Sequence, residues 1–101
     1  MSTTKIFLVD DHPIIRQTVT RLIERQDDMT VCGEAATIEA ALEGIALSQP
    51  DLVLVDVSLP NGSGIHLVGM IKSRWPEIKA LVVSGFEKAA FAEGEASAAT
   101  M

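Results

Sequence analysis

Asp51-Leu52-Val53-Leu54-Val55-Asp56-Val57-Ser58-Leu59-Pro60 is the stretch on which the fold turns. The four apolar residues 52–55 leave no polar face. A strand built from them must be covered on both sides, as at the centre of a parallel sheet wrapped by helices. The run stops at a carboxylate, Asp56, and the following Leu59-Pro60-Asn61-Gly62-Ser63-Gly64 is dense in turn formers.

The same alternation holds on either side. Residues 6–9 form a continuous apolar run ending in Asp10 and Asp11, which predicts a buried first strand. Pro13 suits the first turn of a helix, and Ile15, Val19, Leu22 and Ile23 recur at helical spacing, so a helix is expected to end near Asp27 and Asp28. Residues 30–33 predict a short second strand. Thr37 is placed to cap a helix with Ala41, Leu42, Ile45 and Ala46 on its apolar face and Pro50 beyond its end. Ser63 can cap a third helix carrying Ile65, Val68, Ile71 and Trp75, with Pro76 stopping it. Residues 78–83 predict a fourth strand leading into Ser84 and Gly85. Strands alternating with helices imply an α/β domain with a parallel sheet.

Right-handed crossovers bring the carboxyl ends of parallel strands to one edge of the sheet, so Asp10, Asp11, Asp56 and Ser84 are expected there together. Taken alone, Asp10 and Asp11 would read as helix caps. With Asp56 at the matching end of another strand they read better as a cation site, because clustered carboxylates repel until a hard dication neutralises them. Mg²⁺ suits such oxygen donors. A cation at this point also offsets the repulsion between a carboxylate nucleophile and an anionic phosphorylated donor, which makes Asp56 a candidate phosphoacceptor.

Three motifs in order, Phe7-Leu8-Val9-Asp10-Asp11-His12-Pro13, the stretch 51–60 with Gly62 and Gly64, and Leu81-Val82-Val83-Ser84-Gly85, resemble the receiver domain of response regulators, with the flavour of the NarL/FixJ transcriptional regulators. The resemblance covers about the first five-sixths of the chain, an ordered set being far more specific than any one piece. It implies a flavodoxin-like, three-layer, doubly wound sheet and a role in two-component signal transduction. It also implies that Asp56 receives a phosphoryl group from a sensor histidine kinase. On the same resemblance Asp11, Asp56 and the Ser58 backbone carbonyl ligate Mg²⁺ directly, Asp10 acts through metal-bound water, and the Ser84 hydroxyl turns toward the phosphoryl group. Such a domain is regulatory and catalyses at most its own phosphorylation and dephosphorylation.

The pattern departs from that family after Ser84. The fourth helix, the lysine-bearing fifth strand and the fifth helix are not recognisable, and Lys88 follows Ser84 too closely to carry that lysine's role. The domain is thus expected to span residues 1–101, with the receiver pattern in 5–85 and a divergent tail in 86–101, as though truncated after the fourth strand. A fourth strand at the edge exposes unpaired backbone groups, so a homodimer is expected. Two rival readings follow: a truncated receiver acting as a dimerising module without productive phosphorylation, and a haloacid-dehalogenase-like phosphohydrolase. The latter family places a second carboxylate two residues after the nucleophile, where this chain has Ser58.

Composition narrows the classes further. A chain of 101 residues, 48% hydrophobic, suits one core. Its net charge of -6 argues against direct binding of nucleic acid by this domain. Cys32 is the only cysteine, which excludes an internal disulfide and suits a reducing compartment. With no apolar run of membrane-spanning length, a cytoplasmic location is expected. His12 reads as a residue at the start of a helix, His66 as solvent-facing, Cys32 as a small buried side chain, and Trp75 and Phe91 as packing groups.

Overall fold

The structure is a computed structural model and describes residues 3–57, 59 and 64–83. Strand and helix alternate as β1 (Thr4–Val9), α1 (Pro13–Glu24), β2 (Met29–Ala35), α2 (Ile38–Ser48), β3 (Leu52–Asp56), α3 (Gly64–Arg74) and β4 (Lys79–Val83). All pairings are parallel and the order is β2-β1-β3-β4. The chain steps from β1 to β2 on one side and later to β3 on the other, so winding reverses at β1. That reversal opens a crevice between the carboxyl ends of β1 and β3.

Pleating sends alternate residues of the inner strands to opposite faces. Phe7, Val9, Val53 and Val55 pack with Ala41 and Ile45 of α2 and Leu67 and Ile71 of α3. Ile6 and Leu8 pack on the other face with Val19 and Ile23 of α1, and Leu52 and Leu54 join them partly buried. The result is the three-layer, doubly wound architecture expected; the expected loss of the fifth strand and fifth helix concerns residues 84–101, which lie outside the described residues. The register between β1 and β2 skips Cys32, bringing Gly33 opposite Phe7. A Cβ on Gly33 would lie 2.8 Å from the Phe7 ring, so the missing side chain makes room for it.

Several boundaries differ from the sequence reading for local reasons. The first helix ends at Glu24, short of residues 27–28, because the Glu24 carboxylate accepts hydrogen bonds from Val31 N (2.8 Å) and Thr30 Oγ1 (3.0 Å). Those bonds turn the chain back into β2, which runs wider than residues 30–33. Thr37 caps α2 as expected, its hydroxyl accepting from Ala40 N at 3.2 Å. Two apolar assignments fail. Ala46 is exposed, and Ile65 is 61% exposed, because the buried stripe of α3 runs through Gly64, Leu67 and Ile71. Ile65 lies about 100° round the helix from Gly64. Val68 and Trp75 do pack against the core, partly buried, and Cys32 is half-buried rather than enclosed.

Candidate metal and phosphoacceptor site

Val9 and Val55 are register partners, so the next residue of each strand, Asp10 and Asp56, reaches the sheet edge side by side. Asp56 is 1% exposed and Asp10 6%, whereas the Asp11 side chain is a third exposed. One ligand atom from each of Asp10, Asp11, His12 and Asp56 lies within 4.8 Å of every other. The three carboxylates expected to converge therefore do so.

Their loop is fixed by neighbouring backbone and by one arginine. Asp10 N donates to Ala35 O at 3.0 Å, extending the ladder one residue past β1. Arg16, on α1, donates from Nη1 to the Asp10 carbonyl at 2.6 Å and from Nε to the Glu34 carboxylate. A planar guanidinium with diverging donors suits such bridging, and here it ties the β1–α1 turn to β2. On the opposite side, Val57 N donates to Val83 O at 3.0 Å and Gly64 N to Val57 O at 3.2 Å. A Cβ on Gly64 would overlap the Asp56 carbonyl oxygen, so only glycine lets α3 start this close to the acceptor strand.

Asp10 and Asp11 do not cap α1. The cap position is His12, extended at φ -103 and ψ 105 with no side-chain cap bond, and its backbone N–H donates to Asp10 Oδ1 at 2.8 Å. The His12 ring is the element that reading the sequence missed. Its Nδ1 lies 2.7 Å from Asp10 Oδ1, 3.0 Å from Asp11 Oδ1 and 3.7 Å from Asp56 Oδ2. A histidine beside two aspartates and a proline looks like the start of a helix, and only a ring folded back over its own loop reveals the contact.

Two buried carboxylates at this separation repel by roughly 3–4 kcal/mol at an effective dielectric of about 20. The donors are hard oxygens, and Asp11 Oδ1 is a buried atom with no hydrogen bond besides its 3.0 Å contact with the His12 ring. Both features fit a small dication such as Mg²⁺. Ser58 and Ser84 lie outside the described residues, as do Ser63, Lys88 and Phe91. His66 is exposed on α3. No helix among the described residues is long and apolar enough to cross a membrane.

Comparison with known proteins agrees with this arrangement. Residues 6–100 match the family described as the response regulator receiver domain. The chain is 34% identical over 82 residues to the DNA-binding transcriptional activator DevR/DosR of Mycobacterium tuberculosis, covering 81% of this chain and 38% of that protein. It is 32% identical over 84 residues to the response regulator protein VraR of Staphylococcus aureus, covering 83% of this chain and 40% of that one. The chain thus spans about two-fifths of these relatives' length. Among solved structures, a two-component response regulator of the LuxR family from Aurantimonas sp. SI85-9A1 superposes with a TM-score of 0.79 at 36% identity, over 96% of this chain and 69% of that one. With the winding reversal, the acidic crevice and these matches in agreement, the chain belongs to the receiver-domain family of response regulators, a regulatory rather than a metabolic family.

Proposed function

We propose that this receiver domain accepts a phosphoryl group on Asp56 from a sensor histidine kinase in a Mg²⁺-dependent reaction, and so acts in two-component signal transduction. The observation that carries the reading is the meeting of Asp10, Asp11 and Asp56 at one edge of the sheet. Asp11 and Asp56, with the Ser58 carbonyl, are assigned as the protein ligands of the cation, and Asp10 acts through its water. When bound, Mg²⁺ neutralises the carboxylates and the incoming phosphoryl oxygens.

The chain's own part is positional. Asp56 sits at the end of the central strand, 1% exposed, with its backbone gripped between β4 and the start of α3. An Asp56 carboxylate oxygen attacks phosphorus, a P–O bond forms, and the bond to the donor's imidazole nitrogen, or to a small donor's acyl oxygen, breaks. A released imidazole takes up a proton, and a released carboxylate leaves as its anion. The aspartyl phosphate carries roughly -1.5 to -2 of charge where the carboxylate carried about -1, beside the end of β4, and the Ser84 hydroxyl is assigned to turn toward it. That movement changes a protein-binding surface in a cytoplasmic regulator.

Among the described residues β4 pairs with β3 alone, which supports a homodimer formed through this edge, the tail or the adjacent helices. Mass-resolved size measurement over a concentration series tests this association. Phosphorylation is tested by intact-mass measurement after incubation with Mg²⁺ and acetyl phosphate. One phosphoryl adduct is expected, absent in Asp56→Asn and absent when Mg²⁺ is chelated. No adduct on the unaltered chain would leave the dimerising module as the better reading, and steady turnover of a phosphate ester would favour a hydrolase.

A further inference from the structure

The unusual member of the acidic crevice is the imidazole. If its ring merely capped α1, it would bond the first turn, yet it makes no such bond. Instead Nδ1 points among three carboxylates at 2.7, 3.0 and 3.7 Å. An octahedral ion with ligands at about 2.1 Å holds adjacent donor atoms about 3 Å apart. Asp11 and Asp56, the two carboxylates assigned as direct ligands, stand 3.0 and 3.7 Å from Nδ1, near that edge length, so Nδ1 stands where it can join them on one ion; its 2.7 Å contact with Asp10 is a hydrogen bond. The His12 side chain is 56% exposed, while Arg16 and Ala35 hold the Asp10 backbone beside it.

We infer that His12 Nδ1 is a protein ligand of the cation in this crevice, and that it shifts the site's preference from Mg²⁺ toward a first-row transition dication, with Mn²⁺ the ion to test. This rests on the metal-site reading above. The oxygen donors alone form a hard set that suits Mg²⁺ and Mn²⁺ alike, whereas a nitrogen donor adds affinity for a transition ion and little for Mg²⁺. Coordination uses the neutral ring with its proton on Nε2.

Isothermal titration of the 101-residue chain with Mn²⁺ and Mg²⁺ separately, on wild type, His12→Ala and His12→Asn, tests the inference. The asparagine variant keeps a good cap at the start of α1, which guards against a folding effect. Pulsed electron paramagnetic resonance of the Mn²⁺ complex supplies a readout independent of affinity, since a directly bound imidazole nitrogen modulates the echo. The expected result is ¹⁴N modulation in wild type that vanishes in both variants, with the ratio of Mn²⁺ to Mg²⁺ affinity falling on the order of tenfold. An unchanged ratio without nitrogen modulation would overturn the inference while leaving the carboxylate site intact. Tighter binding of both ions in the variants would also overturn it, because the ring would then be a competitor for the crevice. If wild type binds neither ion, the metal site itself fails and the inference fails with it.

Discussion

Two glycines on α3 are predicted to respond in opposite directions to the same added methyl group. At Gly69 a Cβ would meet nothing within 4 Å. There Gly69→Ala gains the helix-propensity difference of roughly 0.5–1 kcal/mol, a rise of several degrees in Tm for a domain of this size. At Gly64 the added carbon would overlap the Asp56 carbonyl oxygen and lie 2.9 Å from both the Asp56 carbonyl carbon and Val55 Cγ1. Two of those three atoms are backbone of the central strand, which no rotamer change can move aside. Gly64→Ala therefore costs about 1–3 kcal/mol, the scale of an overpacked core. Because the displaced residue is Asp56, the loss of stability is accompanied by weaker Mg²⁺ binding, which Gly69→Ala does not show. Urea unfolding of the three proteins with and without Mg²⁺ checks both effects. A Gly64→Ala chain as stable as wild type, with unchanged Mg²⁺ affinity, would refute the claim that α3 must begin against the acceptor strand.

Ile45, fully buried between α2 and the sheet, is expected to cost about 2–5 kcal/mol on truncation to alanine, read as a lower urea midpoint. Arg16→Ala removes the donors to the Asp10 carbonyl and Glu34. It is expected to destabilise by roughly 1–3 kcal/mol and to weaken Mg²⁺ binding in calorimetric titration, since the Asp10–Asp11 turn loses its tie to β2.

The sheet and the convergence of carboxylates were legible because they depend on coarse signals. Residues 52–55 are apolar without interruption, which leaves a covered central strand as the simple solution, and the position of Asp56 follows from where that run stops. The winding that brings Asp10 beside Asp56 follows from the handedness of crossovers rather than from any single side chain. Finer features depended on rotation and on distant partners. Ile65 and Ala46 sit on short helices whose apolar residues spread round more than one side, so periodicity alone did not orient them. The end of α1 is set by Glu24 reaching β2, seven residues away in sequence at Val31. His12 was assigned to the start of a helix, and its backbone does take the cap position. Its ring was misjudged because a rotamer, not a sequence pattern, brings Nδ1 to the carboxylates.

The most direct measurement is to locate the phosphoryl group chemically. After treatment with acetyl phosphate and Mg²⁺, borohydride reduction converts an aspartyl phosphate to homoserine, and peptide mass mapping reads its position. Homoserine at position 56 alone is the expected result. Homoserine at 10 or 11, or none at any position, would contradict the assignment of Asp56 as the acceptor.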